Sequence, residues 1–533
     1  MVFYICGKKK EKVLTMPDEE SFLDVSLRKI AKGAGFVLLG TLIGRAFGYG
    51  SRLIIARFLG VSDYGLISLG FAGMSIVAAI SLVGITGGIT RYVSFYKGKG
   101  DKGRIKGTIT SALKITLPLS LLFAFILFYK ADWISIHVFH DANLTPILRI
   151  FSIAVPFLVL AKNIISCIVG FQDMKYPVFV EHVFQNAIKL GAIVILVALG
   201  FGVLGATWGW VIGMIVMPFI AFYFLERKIF PVFNTKVKAI AMEKELFSFS
   251  FPLMLGGIAD LVMHWMDTLM LGYFGTSTEV GIYNAALPTA QIINALPSAF
   301  AGIFFPVISE LYARNKIDDL RNTYSAVTKW MLSLIFPAFL LTVLFPDQII
   351  KILFGAEYVA GATALVILTS GFLIIAAVGP VAAILATYGK TKTIMASGYI
   401  GAGMNFALNF LLIPIYGVNG AAIATASSLA FAYIFNLFFV YRIAKIHPFR
   451  GSFLKPIFAS IIVVSVIHAL TKYVIGASFF ILIVMLFVFL VLYFFLLLFI
   501  KGFEEEDLMI MKAIDKRLGT KSDWIRKIIQ RFL

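Results

Sequence analysis

Charge is what this chain has least of. Asp, Glu, Lys and Arg make up 14% of its 533 residues, against about 25% in soluble domains. Acidic residues are the scarcer sign, 28 against 47 basic, for a net charge of +19. Cysteine is nearly absent: Cys6 lies in the N-terminal tail and Cys167 inside an apolar run, which excludes a disulfide framework and a Cys-based metal site. The start, MVFYICGKKKEK followed by MPDEESFLD, has no apolar core and no cleavage-type end, so no signal peptide is expected. No Gly-x-x-x-x-Gly-Lys loop occurs, which argues against nucleotide hydrolysis. Alternating ten-residue segments are missing too, which excludes a membrane β-barrel.

What is present is apolar sequence, 60% of the chain, with a mean hydropathy of +0.93. Apolar runs of 18 or more residues recur along almost the whole length, the mark of an all-α polytopic membrane protein. Fourteen spans are expected: 34–57, 63–89, 107–129, 146–170, 177–200, 203–225, 249–273, 280–306, 326–346, 362–387, 394–416, 419–441, 453–473 and 477–500. Basic residues cluster in alternate loops. Lys8, Lys9, Lys10 and Lys12 lie before the first span, Arg91 to Lys106 between the second and third, and Arg227 to Lys244 between the sixth and seventh. With an even span count, this bias puts both termini on the cytoplasmic side. It also explains the net charge without a nucleic-acid partner, although some of these residues suit anionic lipid heads. The tail from Lys501 has an apolar stripe, Trp524, Ile525, Ile528, Ile529 and Phe532, that fits a helix lying on the membrane surface.

The chain repeats itself. RFLGVSDYGLI after the first span matches GYFGTSTEVGIY after the seventh with one residue inserted, and Gly60 and Gly275 are 215 positions apart. At the same offset, Gly202-Val203-Leu204-Gly205-Ala206 meets Gly417-Val418-Asn419-Gly420-Ala421, and Val138-Phe139 meets Leu353-Phe354. Two parallel six-span copies follow, with a site between them near the membrane midplane. The expected organisation is a cytoplasmic N-tail at 1–33, an N-lobe at 34–228, a C-lobe at 229–443, two extra helices within 444–501 and a cytoplasmic amphipathic tail at 502–533.

Span 7, IADLVMHWMDTLML, carries Asp260, His264 and Asp267 on one helical face. The repeat offset maps Asp260 onto Arg45 and Asp267 onto Arg52. Intramembrane charges are functional candidates to be stated with their partners. Two readings are compatible. Arg45–Asp260 and Arg52–Asp267 form ion pairs between lobes, or the arginines bind an anionic substrate such as a pyrophosphate, which suits a guanidinium fork. His264 is either hydrogen-bonded in place or a titrating group. Arg45, Arg52, Asp260 and His264 are thus the substrate-binding candidates.

The glycine turns after spans 1 and 7, the GVNGAAIAT run at 417–425, the six-plus-six repeat and the two added spans resemble the multidrug/oligosaccharidyl-lipid/polysaccharide exporter superfamily. Within it, the chain is similar to flippases for polysaccharide repeat units over roughly residues 25–500. The resemblance implies two six-helix bundles around a cavity. It implies movement of a polyprenyl-pyrophosphate-linked oligosaccharide across the cytoplasmic membrane by alternating access, with no enzymatic step and no cofactor beyond a coupling sodium ion. It further implies a sodium site of Asp267, Asn405 and Asn409, the Ala421 carbonyl and the Thr425 hydroxyl. Asp267, Asn409 and Thr425 lie at matching depths in their spans, and oxygen ligands suit a hard cation. Asn409 stands where the family site can have a second carboxylate, which lowers the site's charge. The bland alternative is two asparagines hydrogen-bonding between helices.

Two other functions fit parts of the pattern. Drug/cation antiporters share the fold, but several carry an acidic residue in the first helix, where this chain has arginines. A membrane glycosyltransferase needs acidic residues on a substantial outside loop, and these loops are short with no Asp-x-Asp pattern. The partners expected are a lipid-linked oligosaccharide, membrane lipids and a glycan polymerase or glycosyltransferase, around a monomer.

Overall fold

The computed structural model describes residues 19–232, 237–293, 295–470, 479–503 and 508. The amphipathic stripe after Lys501 and Cys6 lie outside them. Among the described residues every regular element is helical. The first half runs α1 Glu19–Leu59, α2 Val61–Leu82, α3 Ile85–Gly98, α4 Lys102–Trp133, α5 Leu144–Gly170, α6 Lys175–Val178, α7 Gln185–Ala198 and α8 Gly202–Phe224. A π-helical turn, Phe179–Phe184, joins α6 to α7. The second half runs α9 Glu243–Phe274, α10 Ser277–Ile293, α11 Ala295–Ala313, α12 Ile317–Leu344, α13 Pro346–Leu353, α14 Ala362–Val378, α15 Val381–Thr387 and α16 Thr391–Ala444. The last pair is α17 Leu454–Leu470 and α18 Phe479–Phe499.

Nine helical segments among the described residues are long and apolar enough to cross a membrane. Large apolar side chains stay exposed on them, such as Leu121, Leu122, Phe125 and Phe128 on α4 and Leu490, Phe495 and Phe499 on α18. In water such surface would drive aggregation, whereas in lipid it is solvated.

The helices differ from the expected spans in instructive places. α1 starts at Glu19, so helix runs through 19–33 into the first span without a break. The expected span 63–89 ends early, because the chain leaves the helix at Val83 and Gly84, both at positive φ. The expected span 362–387 breaks at Gly379 and Pro380 into α14 and α15.

Spans 11 and 12 appear as the single 54-residue α16, broken by non-helical backbone at Gly417, with φ 51° and ψ −126°. A straight helix would put Asn405 and Thr425 about 30 Å apart at 1.5 Å per residue. Instead Asn405 Nδ2 donates to Thr425 Oγ1 at 3.2 Å. The chain therefore folds back on itself at Gly417 into an antiparallel pair. That backbone conformation is essentially restricted to glycine.

The largest core cluster joins both halves of the chain. It includes Ile55, Tyr64, Phe151 and Trp210 from the first, and Tyr283, Phe354, Leu365 and Ala421 from the second. Its centre is the crossing of α2 and α10. A Cβ on Gly65 would stand 1.7 Å from the Ser277 carbonyl oxygen, and one on Gly281 would stand 2.1 Å from that of Val61. Each glycine admits the backbone of the other helix's first turn, and the two contacts are related by an offset of 216. The reciprocity is that of a local two-fold axis between the repeats.

Hydrogen bonds close the same end. Ser62 and Ser277 share a hydroxyl hydrogen bond of 2.9 Å, Tyr64 OH donates to Asn284 O at 3.0 Å and Tyr358 OH to Ala56 O at 3.1 Å. Arg57 donates from Nε to Leu353 O at 2.9 Å. At the other end, α3 packs on the start of α9. Tyr92 OH reaches Glu245 O at 3.3 Å, and the Arg91 guanidinium lies 4.1 Å from the centre of the Phe249 ring. Separately, α17 and α18 share a small cluster with Leu340, Leu341 and Leu344 of α12, and Tyr493 OH donates to Ser333 O at 2.9 Å.

Candidate functional site: a buried carboxylate cage and a cationic wall

Asp267 sits on α9 eight residues before Gly275, where the chain turns into α10. Tyr283 sits eight residues after that turn. Asn409 and Thr425 are each eight residues from Gly417, the turn inside α16. At 1.5 Å per residue all four lie about 12 Å below their turns, and the two helical hairpins bring them together. Asp267, 2% exposed, accepts hydrogen bonds from Tyr283 OH at 2.5 Å, Asn409 Nδ2 at 2.7 Å, Asn405 Nδ2 at 3.1 Å and the Thr425 hydroxyl. Asn409 Nδ2 also donates to Asn405 Oδ1 at 3.1 Å. At the next residue of each helix, Asn284 Nδ2 donates to Thr268 Oγ1 at 3.2 Å.

A buried carboxylate costs several kcal/mol unless it is paired or fully hydrogen-bonded, and this one takes the second solution. Of the five residues expected to form a cation site, four thus meet around one carboxylate. The fifth, Ala421, is fully buried on the same helical hairpin. Asn409 Oδ1 is a buried acceptor with no donor among the described residues. An orphaned acceptor beside an anionic oxygen and a hydroxyl is a donor set that fits a hard monovalent cation. No cluster of three or more His, Cys, Asp or Glu occurs among the described residues, so a divalent ion fits less well.

The expected Arg52–Asp267 pair does not form. Arg52, half-buried on α1, donates from Nη1 to Tyr64 OH at 3.4 Å. The carboxylate's hydrogen-bond donors all come from its own half of the chain. His264 is exposed and meets Trp265 edge-on at 4.7 Å. It lies within electrostatic range of both Arg52 and Asp267. Arg45 is exposed on α1, within electrostatic range of His182. The side chain of Asp260 lies outside the described residues, and with it the Arg45–Asp260 pair.

The first half contributes more cations than sequence spacing alone revealed. Lys162 and Glu181 form an ion pair at 2.7 Å. Lys189 on α7 is 7% exposed, lies 4.8 Å from the centre of the Trp210 ring and donates to Asn186 Oδ1 at 2.8 Å. It stands within electrostatic range of Arg52. Arg45, Lys162 and Glu181 thus lie within electrostatic range of His182, and Arg52 within that of Lys189.

Comparisons with known proteins bear on this arrangement. Over 442 residues the chain is 27% identical to the uncharacterized membrane protein MJ1068 of Methanocaldococcus jannaschii, covering 79% of this chain and 85% of that one. It is 29% identical over 188 residues to the "Probable low-salt glycan biosynthesis flippase Agl15" of Haloferax volcanii; that match spans 35% of this chain and 40% of the relative. Among solved structures, the lipid II flippase MurJ in an inward closed conformation superposes with a TM-score of 0.71 at 18% identity, over 86% of this chain and 97% of that one. At that identity the likeness is one of fold. A MatE family model matches residues 252–411. The polysaccharide biosynthesis protein model matches residues 30–312, more than half of the chain, and the protein belongs to that family.

Proposed function

We propose that the protein moves a polyprenyl-pyrophosphate-linked oligosaccharide between the leaflets of the cytoplasmic membrane by alternating access. The observation that carries this reading is a cationic wall in the first half: the buried Lys189 on α7 lies within electrostatic range of Arg52 and has no ion-pair partner among the described residues. Unpaired positive charge at that depth is expensive, and an anionic cargo offsets the cost. The family's association with polysaccharide synthesis and the relative named as a glycan biosynthesis flippase agree with it.

In this reading residues 34–228 and 229–443 are the two moving lobes, 444–501 adds two helices and both termini are cytoplasmic. The α2–α10 contact at the Gly60 end and the α3–α9 contact at the Ser250 end are the two gates. Opening one while the other holds exposes the cationic wall to one side at a time. Asp267, Asn405, Asn409 and Thr425, with the Ala421 carbonyl, would hold a sodium ion, which supplies positive charge to the buried carboxylate. Tyr283 ties that carboxylate to α10, the helix of the Gly60-end gate. The protein works as a monomer among membrane lipids, beside a glycan polymerase or glycosyltransferase, and performs no covalent chemistry.

The test is flipping of a fluorescent polyprenyl-pyrophosphate oligosaccharide in proteoliposomes. Wild type should transfer the probe, and Arg52→Ala should cut the rate by about tenfold or more, the worth of one charged hydrogen-bond partner. The MatE match favours one alternative, a cation-coupled drug antiporter. Exchange of a cationic dye by wild type, with no lipid transfer, would establish that alternative and sink this reading.

A further inference from the structure

Pro288 lies inside α10. Proline has no N–H, so the carbonyl four residues earlier, that of Asn284, is left without its intrahelical donor. A buried carbonyl in that position must find a partner elsewhere. Its donor comes from the other half of the chain: Tyr64 OH, on α2, at 3.0 Å.

Tyr64 is 1% exposed, and its hydroxyl has one proton to give. With that proton on Asn284 O, the hydroxyl oxygen is an acceptor, and Arg52 Nη1 donates to it at 3.4 Å. One oxygen thus joins α1, α2 and α10, across the gate at the Gly60 end. Arg52 has no ion pair among the described residues. A guanidinium carries five N–H donors, so Arg52 retains donors for an anion while it holds Tyr64.

Both ends of this contact are fixed. The Tyr64 ring lies 6.5 Å from that of Phe354 and 6.3 Å from that of Tyr358, centre to centre. Tyr358 is itself held by its hydrogen bond to Ala56 O at 3.1 Å. On the receiving side, Asn284 is 5% exposed, and its Nδ2 donates to Thr268 Oγ1 at 3.2 Å and to Val280 O at 3.0 Å. The preceding residue, Tyr283, donates to Asp267. The carbonyl that takes the Tyr64 proton therefore belongs to the stretch of α10 that clasps α9. The second copy of the repeat has no equivalent hydroxyl, because the offset of 216 puts Val280 in the place of Tyr64.

We propose that Tyr64 is a positioning residue that couples engagement of Arg52 by an anion to opening of the Gly60-end gate. A cation at the hydroxyl oxygen polarises the O–H group and strengthens its bond to Asn284 O. An anion that draws Arg52 away removes that polarisation, and the bond across the gate weakens. Cargo held inside thereby loosens the end through which it leaves. The inference rests on the transport reading above and adds the route by which cargo reaches the gate.

The experiment measures the distance between spin labels at Phe58 and Lys351, both exposed, on the full chain in nanodiscs of uncharged lipid. The probe is geranylgeranyl diphosphate. In wild type it should raise the long-distance population by about two- to fivefold, the size of a lost polarising partner. Tyr64→Phe keeps the ring contacts and removes the hydroxyl. Its long-distance population without probe should already be about three- to tenfold higher. The probe should still bind within about threefold of wild type and shift the distances no further. Arg52→Gln, a second variant, should open the gate without probe as the probe opens wild type. The double variant should open no more than Tyr64→Phe alone, since the two groups act through one bond. A full probe response in Tyr64→Phe, or additive opening in the double variant, overturns the coupling. Lipid flipping by wild type together with a probe response that survives in Tyr64→Phe removes the coupling alone. Wild type that neither binds the diphosphate nor flips lipid removes the transport reading and the coupling with it.

Discussion

Replacing Gly65 by alanine should destabilise the protein even though helix propensity says the opposite. In the interior of a helix, Gly to Ala is favourable by about 1 kcal/mol. Here the new Cβ would stand 1.7 Å from the Ser277 carbonyl oxygen. An ordinary carbon–oxygen contact is about 3.3 Å, so α2 and α10 must part by about 1.6 Å. A gap of half that size already forfeits a quarter to a half of the dispersion energy along a contact. Overpacking of this kind costs about 1–3 kcal/mol. The Ser62–Ser277 and Tyr64–Asn284 hydrogen bonds lie on the same contact, and each is worth about 0.5–1.5 kcal/mol. Loss of roughly 3 kcal/mol from the state in which the Gly60 end is closed shifts its population by about two decades.

The assay is a pair of spin labels at Phe58 and Lys351, both exposed and on the two sides of this end. Wild type should give a short, narrow distance distribution, and Gly65→Ala a longer and broader one. Gly281→Ala should behave alike, because its contact is the reciprocal one. Gly73→Ala is the control on the same helix, where the added Cβ meets Leu148 at an ordinary 3.4 Å. If Gly65→Ala keeps the wild-type distances and melts at the same temperature or higher, the close approach does not hold this gate.

Other expectations can be checked on the same purified chain. Replacing Gly417 with alanine forces a side chain into φ 51°, ψ −126° and towards Glu279 Oε1 at 2.6 Å; a loss of about 1–3 kcal/mol is expected, and an unchanged melting curve would contradict it. Sodium should raise the melting temperature of wild type above that in equimolar potassium by linkage, and Asp267→Asn should abolish the difference. Asn409→Asp adds a second carboxylate beside Asp267 and should enlarge the sodium-dependent shift; a smaller shift would mean that the cage holds hydrogen bonds and no cation.

Much of this molecule is written in local sequence. The apolar runs specify a helical membrane protein, because a backbone in lipid must satisfy its own hydrogen bonds. The glycine turns at Gly60 and Gly275 and the offset between them reveal the repeat. Depth along a helix is also legible, since rise per residue is fixed, and it puts Asp267, Asn409 and Thr425 on one level before any contact is known. Tyr283 was open to the same count, eight residues past Gly275, but a tyrosine in an apolar run gives no sign of its partner.

Rotation about each helix axis and the pairing between helices are set by packing, and only the tertiary structure decided them. It gave Asp267 to Tyr283, Asn405, Asn409 and Thr425 in place of Arg52. It also buried Lys189 against Trp210, where sequence spacing singled out neither residue. A charge in the membrane announces in the sequence that something must satisfy it. Which group does so depends on faces brought together by chain reversals at glycine, and those are decided by close contacts between residues far apart in the chain.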